Sequence, residues 1–171
     1  MRAVQTSRLS LEPQTAAHAE AMFLVLSDPA IYEYENVPPS SLEWLRTRYS
    51  KLETRCSADG REQWLNWVIR LPSGELIGFV QATVYPDGHA GIAYELASAH
   101  WGRGLATDAV QGMLSELAAH YGVSRLSAVL NQENLRSRRL LERLGFALAP
   151  PGEHERRQVE PGELLMLREE H

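Results

Sequence analysis

Apolar residues recur along the second half of this chain at helical and at extended spacing. The longest helical pattern covers 104–121 and places one apolar face on an amphipathic helix. Its apolar residues are Leu105, Ala109, Val110, Met113, Leu114 and Leu117. The run 125–130 is short and mostly apolar, which is typical of a strand. A second amphipathic helix is predicted over 135–144, with Gly145 placed to end it.

The remaining pattern predicts a strand, two helices, three strands and a last strand. Their predicted bounds are 8–12 for the first strand, 15–26 and about 41–56 for the helices, 64–71, 75–84 and 89–96 for the three strands, and 163–168 for the last strand. Turns at 72–74 and 86–88 join the three strands as an antiparallel meander. This order predicts a single α+β domain over 1–171 with a mixed sheet. The segment 149–162, with three prolines and two glycines, is predicted to be a mobile loop.

Composition narrows the class of protein. The hydrophobic fraction of 44% and the charged fraction of 23% are typical of a soluble globular protein. The net charge of −5 argues against nucleic acid and anionic membranes as partners and suits a cationic substrate. The one cysteine, Cys56, is predicted on a helix and excludes an intrachain disulfide. With no membrane-length apolar run and no signal-peptide core, the expected location is the cytoplasm.

Two glycines, Gly102 and Gly104, stand between an extended run and the helix 104–121. The N–H groups of a first helical turn have no intrahelical partner, and the helix dipole gives them partial positive charge. Without side chains at the two glycines, a phosphate can approach this backbone closely. The turn therefore predicts a diphosphate cradle, and the alternative is an ordinary tight connection, because short glycine motifs are weak signals.

Two motifs together resemble those of the GNAT superfamily of acyl-CoA-dependent N-acyltransferases. The first is a strand followed by (Gln/Arg)-x-x-Gly-x-(Gly/Ala) and a helix, which residues 101–106 match except that Trp101 replaces the usual Gln or Arg. The second is Asn-x-x-Ser before a helix that ends in Gly-Phe, which residues 134–137 and 145–146 match. The segments 8–13 and 27–29 resemble one branch, which contains ribosomal-protein alanine N-acetyltransferases.

The resemblance implies a fold and an activity. The fold is a GNAT-like, mostly antiparallel central sheet flanked by helices. The activity is direct transfer of an acetyl group from acetyl-CoA to a primary amine, either a protein N-terminus or a small amine, without a metal and with a homodimer as a possible assembly. Two alternatives remain open: a non-catalytic acyl-CoA sensor on the same scaffold, and an interaction module that binds no CoA.

The resemblance also implies which residues bind the cofactor. The cradle consists of Gly102, Arg103, Gly104, Leu105, Ala106 and Thr107. In the family, the strand before the cradle splays from its neighbour at a bulge, and the pantetheine arm pairs with the exposed backbone. This implies that main-chain groups of Glu95, Leu96 and Ala97 face pantetheine and the acetyl carbonyl. Asn134 corresponds to an asparagine that bonds the pantetheine arm, and a plain N-cap is its alternative role.

Catalytic roles are assigned to two residues. Ser137 lies one helical turn after Asn134 and is predicted to protonate the leaving thiolate, although a first-turn serine without function is an alternative. Glu95 is predicted to accept the amine proton through a water, and an outward-facing surface glutamate is its alternative. Rival bases are Glu33, Glu35, His89 and His100.

The branch that this chain resembles also implies where a cationic amine binds, in a loop with acidic and aromatic residues. Glu33, Tyr34 and Glu35 are predicted to hold the amine. Aromatic residues in this half of the chain either wall that site, where cation–π contact stabilises a cation, or belong to the core. They are Tyr32, Tyr34, Trp44, Trp64 and Trp67.

Overall fold

An eight-stranded sheet forms the centre of the computed structural model, which describes residues 1–170. The strands are β1 (Val4–Gln5), β2 (Ser10–Pro13), β3 (Gln63–Arg70), β4 (Leu76–Val84), β5 (His89–Leu96), β6 (Arg125–Asn131), β7 (Ala147–Leu148) and β8 (Glu163–Glu169). The helices are α1 (Ala19–Val25), α2 (Leu42–Leu52), α3 (Leu105–His120), α4 (Leu135–Arg143) and α5 (Pro151–Arg156), with 3₁₀ turns at Ala16–His18, Pro29–Tyr32 and Ser98–His100.

The strand order is β1-β2-β3-β4-β5-β6-β8-β7, and every neighbouring pair is antiparallel except β5 with β6. The predicted α+β fold with a mixed, mostly antiparallel sheet is therefore confirmed. One face of the sheet packs against α3 and α4, and the other packs against α1 and α2. Strand alternation separates the two layers: Val80 and Trp67 belong to the α3 side, whereas Val68 belongs to the α1 side.

The parallel strands β5 and β6 pair only at their first three residues, from His89↔Arg125 to Gly91↔Ser127. Beyond that point β5 stays with β4 and β6 stays with β8, so two strand edges diverge. We call the space between 92–96 and 128–131 the β5–β6 gap. The β4–β5 register continues without a shift, so the bulge expected on β5 is absent from this ladder. The gap opens because β5 remains paired with β4, and β6 with β8, after the two strands separate.

Other elements differ from the predicted ones. Helix α2 ends at Leu52 rather than at Cys56. Arg55 has a left-handed φ of 65°, which changes the direction of the chain, and Cys56 then forms a β-bridge with Gln63. The predicted loop 149–162 contains α5, whose His154 Nε2 accepts the Leu165 N–H at 3.0 Å. The two-residue strands β1 and β7 are too short for any alternation pattern to predict them. Among residues 1–170, no helix is long and apolar enough to cross a membrane.

Candidate active site

The glycine turn before α3 exposes a row of backbone donors. Gly102 and Gly104 have φ values of 77° and 75°, in the left-handed region that favours glycine, and Gly104 caps α3. Within the described residues, no acceptor is found for the N–H groups of 102–107, and the first helical bond is Asp108 N–H to Gly104 O at 3.1 Å. A Cβ built at Gly102 meets nothing within 4 Å, so this backbone is open to a ligand.

A cleft of about 1020 Å³ extends from these donors through the β5–β6 gap. Tyr94 and Glu95 both line it, although adjacent strand residues point to opposite faces. Tyr94 packs with the α3 side, whereas Phe79, which lies opposite Glu95 on β4, packs with the α1 side. The cleft therefore passes through the sheet and is open to chemistry from both faces.

Helix α4 places Ser137 beside Tyr94 in the gap. Asn134 caps α4 by accepting the Ser137 N–H at 3.2 Å, so its N-cap role is present in the structure. The Ser137 and Tyr94 hydroxyl oxygens lie 2.5 Å apart. Burial raises the pKa of Tyr94 to about 12, so this tyrosine keeps its proton near neutral pH.

The Glu95 carboxyl lies on the other side of β5, and burial raises its pKa to about 7. The Arg136 charge and a hydrogen bond from the Leu96 N–H oppose this rise, whereas Glu35 and Asp28 add to it. The Leu96 N–H donates to Glu95 Oε1 at 3.3 Å. Glu95 is therefore neither an outward surface residue nor a fully ionised one at neutral pH.

The backbone of β5 is divided between β4 and the gap. Ala97 donates its N–H to Ile77 O at 2.8 Å. This N–H is therefore not available to a ligand, although the resemblance implied that it would face pantetheine. Because strand residues alternate in the direction of their hydrogen bonds, the Leu96 main chain points toward the gap. Its carbonyl accepts the Trp101 Nε1–H at 2.7 Å.

Trp101 also carries a cation. The Arg136 guanidinium carbon lies 3.3 Å from the centre of the Trp101 ring, a cation–π contact. Trp101 therefore joins the cradle, β5 and α4 at one point, and it fixes both the Leu96 carbonyl and the guanidinium that lowers the pKa of Glu95.

On the α1 side, the segment before α2 covers the gap. Glu35 Oε1 accepts the Asn131 N–H at 2.7 Å, and Tyr34 and Glu35 line the cleft. Glu33 is exposed and lies outside the lining, so the structure does not bring it to the predicted amine site. Asp28 anchors this segment by accepting from Ser98 N–H at 2.7 Å and from Ser98 Oγ at 2.6 Å.

The aromatic residues divide between the two predicted roles. Tyr32, Tyr34 and Trp44 line the cleft, whereas Trp67 is fully buried in the core. Of the rival bases, His100 lines the cleft near Glu75, and His89 lies at the opposite end of β5 against Ser127. No cluster of three or more metal-binding side chains is found in residues 1–170.

Sequence reasoning missed several residues of the cleft. Tyr94 carries no motif, and only its position before Glu95 could have suggested it. Arg136, Arg139 and Arg143 line the cleft from α4, and their spacing of three and four residues, which places them on one helical face, is a signal that was available. Arg8 Nη1 donates to the Arg103 carbonyl at 2.6 Å and so supports the cradle.

Comparison with known proteins agrees with this geometry. Residues 8–147 match the family model of the acetyltransferase (GNAT) domain. The chain is 30% identical over 146 residues to YoaA of Bacillus subtilis (strain 168), an uncharacterized N-acetyltransferase, and the match covers 84% of this chain and 81% of YoaA. It is 28% identical over 140 residues to the L-2,4-diaminobutyric acid acetyltransferase of Streptomyces avermitilis, covering 74% of this chain and 76% of that one.

Solved structures share the fold. RimL, a ribosomal alpha-N-protein acetyltransferase solved with coenzyme A, has a TM-score of 0.80 at 18% identity, covering 98% of this chain and 97% of RimL. RimJ of Mycobacterium smegmatis, solved with a CoA disulfide, has a TM-score of 0.74 at 25% identity, covering 98% and 87%. These neighbours confirm the predicted resemblance to the ribosomal-protein branch.

A central sheet with this gap and cradle defines a GNAT-type acyltransferase. The chain belongs to the GNAT acetyltransferase family, and it is an N-acetyltransferase.

Proposed function

We propose that this enzyme transfers the acetyl group of acetyl-CoA directly to a primary amine, within the cleft that crosses the β5–β6 gap. The observation that carries the proposal is the continuity of this cleft. It joins a row of free backbone donors to Glu95, a carboxyl whose pKa is near 7. Anion-binding donors and a base poised near neutral pH are the two groups that this reaction requires.

The residues present fit acetyl-CoA. The free N–H groups of 102–107, at the N-terminus of α3, suit a diphosphate. Arg139 and Arg143 add positive charge from α4. The β5 edge along the gap, where the main chains of alternate residues point away from β4, suits an extended chain of amides. When bound, acetyl-CoA supplies a thioester, which is an activated acetyl group with a thiolate as its leaving group.

Glu95 accepts the proton that the attacking amine must lose. An α-amino group titrates near 8 and an alkylamine near 10.4, so a carboxylate with a pKa of about 7 is a suitable partner for the former and a weaker one for the latter. Glu35 and the face of Tyr34 hold the cationic form of the amine before it reacts.

The remaining charges of the reaction are met by backbone and hydroxyl donors. The Leu96 N–H gives up its hydrogen bond to Glu95 Oε1 and donates to the acyl oxygen as negative charge develops there. Such a donor stabilises the transition state by roughly 3 kcal/mol. Ser137 Oγ donates a proton to the departing sulfur, and the amine proton held by Glu95 returns to the serine through water of the open cleft as the products leave, so that the protons balance. Its hydrogen bond to Tyr94 places the hydroxyl in the gap.

A release assay tests the proposal. Acetyl-CoA is mixed with a panel of amines, including peptides with free N-termini and small diamines, and the free thiol of CoA is measured with a thiol-reactive dye. Thiol release that depends on one class of amine supports the enzyme. CoA binding without release for any amine favours the acyl-CoA sensor, and the absence of heat and of thermal stabilisation with CoA favours the interaction module.

A further inference from the structure

Three side-chain amides lie in a row on the sheet face beneath α1 and α2. Gln14 follows β2 and donates its N–H to Asn66 O at 2.9 Å, and Asn66 of β3 is the cross-strand partner of Gln81 of β4. Direct partners in an antiparallel sheet point to the same face, about 5 Å apart. We call Gln14, Asn66 and Gln81 the amide row.

The amide row is buried at Gln14 and Asn66 and half-buried at Gln81, and it is open to the cleft. Gln14 is 5% exposed and Asn66 is 7% exposed, and all three residues line the cleft. Their side chains make no hydrogen bond to another residue of 1–170; the bonds of Gln14 run through its main chain. Buried polar side chains in native proteins are nearly always paired. Gln14 and Asn66 are not paired, and together with the half-buried Gln81 beside them in the cleft they point to a polar ligand group.

The amide row continues the line of the reaction centre. Gln81 is the cross-strand partner of Ala93, and Glu95 lies two residues further on the same face of β5. Such a diagonal neighbour is about 7–8 Å away. A small acceptor whose amine lies at Glu95 can therefore bind the amide row with a second polar group. That group must lie only a few bonds from the amine in the acceptor molecule.

A cation on α2 defines the charge of that second group. Arg48 is exposed, lines the same cleft and forms no ion pair with a carboxylate of residues 1–170. Arg46 lies on the same helix outside the cleft lining and pairs with Glu20 at 3.8 Å. The acceptor side of the cleft thus offers carboxylates to an amine and a free guanidinium with three amides to an anion.

We propose that the acceptor is a small amino acid with a free carboxylate, whose reacting amine lies at Glu95 and whose carboxylate binds Arg48 and the amide row. This inference rests on the proposed function and narrows its acceptor. A protein N-terminus matches the free guanidinium less well, because its first carbonyl carbon is in a peptide bond and carries no negative charge.

Matched amines test the acceptor class. The substrates are 2,4-diaminobutyrate, ornithine and lysine, each compared with its decarboxylated diamine, and a peptide that has a free N-terminus and no acidic side chain. We expect at least one diamino acid to exceed its diamine by about tenfold or more in kcat/KM, the value of one charge-assisted contact. Equal rates within each pair, or fastest turnover of the peptide, would overturn the acceptor class and leave the enzyme proposal standing. Thiol release from none of these amines would overturn both.

Variants with matched controls identify the residues involved. Arg48→Gln and Gln81→Leu should each lower kcat/KM for the preferred diamino acid about tenfold and leave the decarboxylated diamine unchanged. Arg46→Gln on α2 and Thr83→Val, on the same face of β4 outside the cleft, should change neither. CoA affinity and the thermal midpoint report folding in each variant. Equal losses on both amines, or in the controls, would overturn the assignment.

Discussion

The hydroxyl oxygens of Tyr94 and Ser137 lie 2.5 Å apart and join β5 to α4 across the β5–β6 gap. Burial keeps Tyr94 protonated, with its pKa raised to about 12, so the pair retains a proton at every pH near neutrality. A serine hydroxyl that accepts a hydrogen bond from a tyrosine is polarised and becomes a better donor. The strand β5 supplies this tyrosine, since α4 contains none.

The Tyr94–Ser137 pair should act as a unit on turnover. Ser137→Ala is expected to lower kcat about 100-fold, the typical value of a positioned acid, with a much smaller effect on the affinity for CoA. Tyr94→Phe should also lower kcat, and the double variant should have the same kcat as Ser137→Ala alone. Steady-state kinetics and CoA calorimetry measure both quantities.

Tyr121→Phe is the matched control, because Tyr121 is a half-buried tyrosine of the same core layer outside the cleft. Wild-type turnover in Ser137→Ala would remove this serine from the mechanism. Fully additive losses would separate the two hydroxyls.

The titration of Glu95 should control the acidic limb of the rate profile. The carboxyl must be ionised to accept a proton, and its pKa is about 7, so kcat/KM falls as pH drops below 7. Because the amine binds as a cation and gives its proton to Glu95, protonation of the free amine does not lower kcat/KM, and the logarithmic slope should be one below pH 7 in the wild type. Glu95→Gln should lower kcat about 100-fold, and because only the neutral amine then reacts, the limb of slope one should extend up to the pKa of the amine instead of ending near 7.

Glu33→Gln makes the same charge change at an exposed position outside the cleft and should leave rate and slope unchanged. A wild-type acidic limb that does not end near pH 7, or full activity in Glu95→Gln, would assign the base to another group.

A carboxylate in the cradle should prevent CoA binding. Gly104→Glu places negative charge among the free N–H groups, and we expect CoA affinity to fall by more than about 100-fold through repulsion of the diphosphate. Gly60→Glu is the control, because Gly60 has nearly the same φ, 73°, and open space around it. Calorimetry on folded Gly104→Glu with unchanged affinity would refute the cradle.

Charge on α4 should contribute to cofactor affinity. Arg139→Gln and Arg143→Gln are each expected to raise the dissociation constant of CoA about threefold to tenfold, because both side chains are exposed to salt and water. Kcat should not change. Arg138→Gln on the same helix removes a charge that already pairs with Glu142, and its CoA affinity should match the wild type at low and high salt.

Local sequence signals were sufficient where the structure depends on neighbours in the chain. Asn134 caps α4, and the turn Gly102–Gly104 exposes the first amides of α3, as their residue types indicate. The same signals could not decide whether Tyr94 or Glu95 faces the α3 side, because alternation shows only that the two side chains point to opposite faces of the sheet. The positive φ of Arg55, which prevents α2 from extending to Cys56, has no sequence signature either.

The sequence by itself determined the order of the main elements, the mixed sheet and the position of the glycine turn, since hydrophobic period and turn residues act over a few neighbouring positions. Only the tertiary structure decided that β5 and β6 separate after three pairs, that burial raises the pKa of Glu95, and that Tyr94 meets Ser137. These properties arise from contacts between residues far apart in the chain. Burial and strand divergence depend on all the layers at once, and no local pattern encodes them.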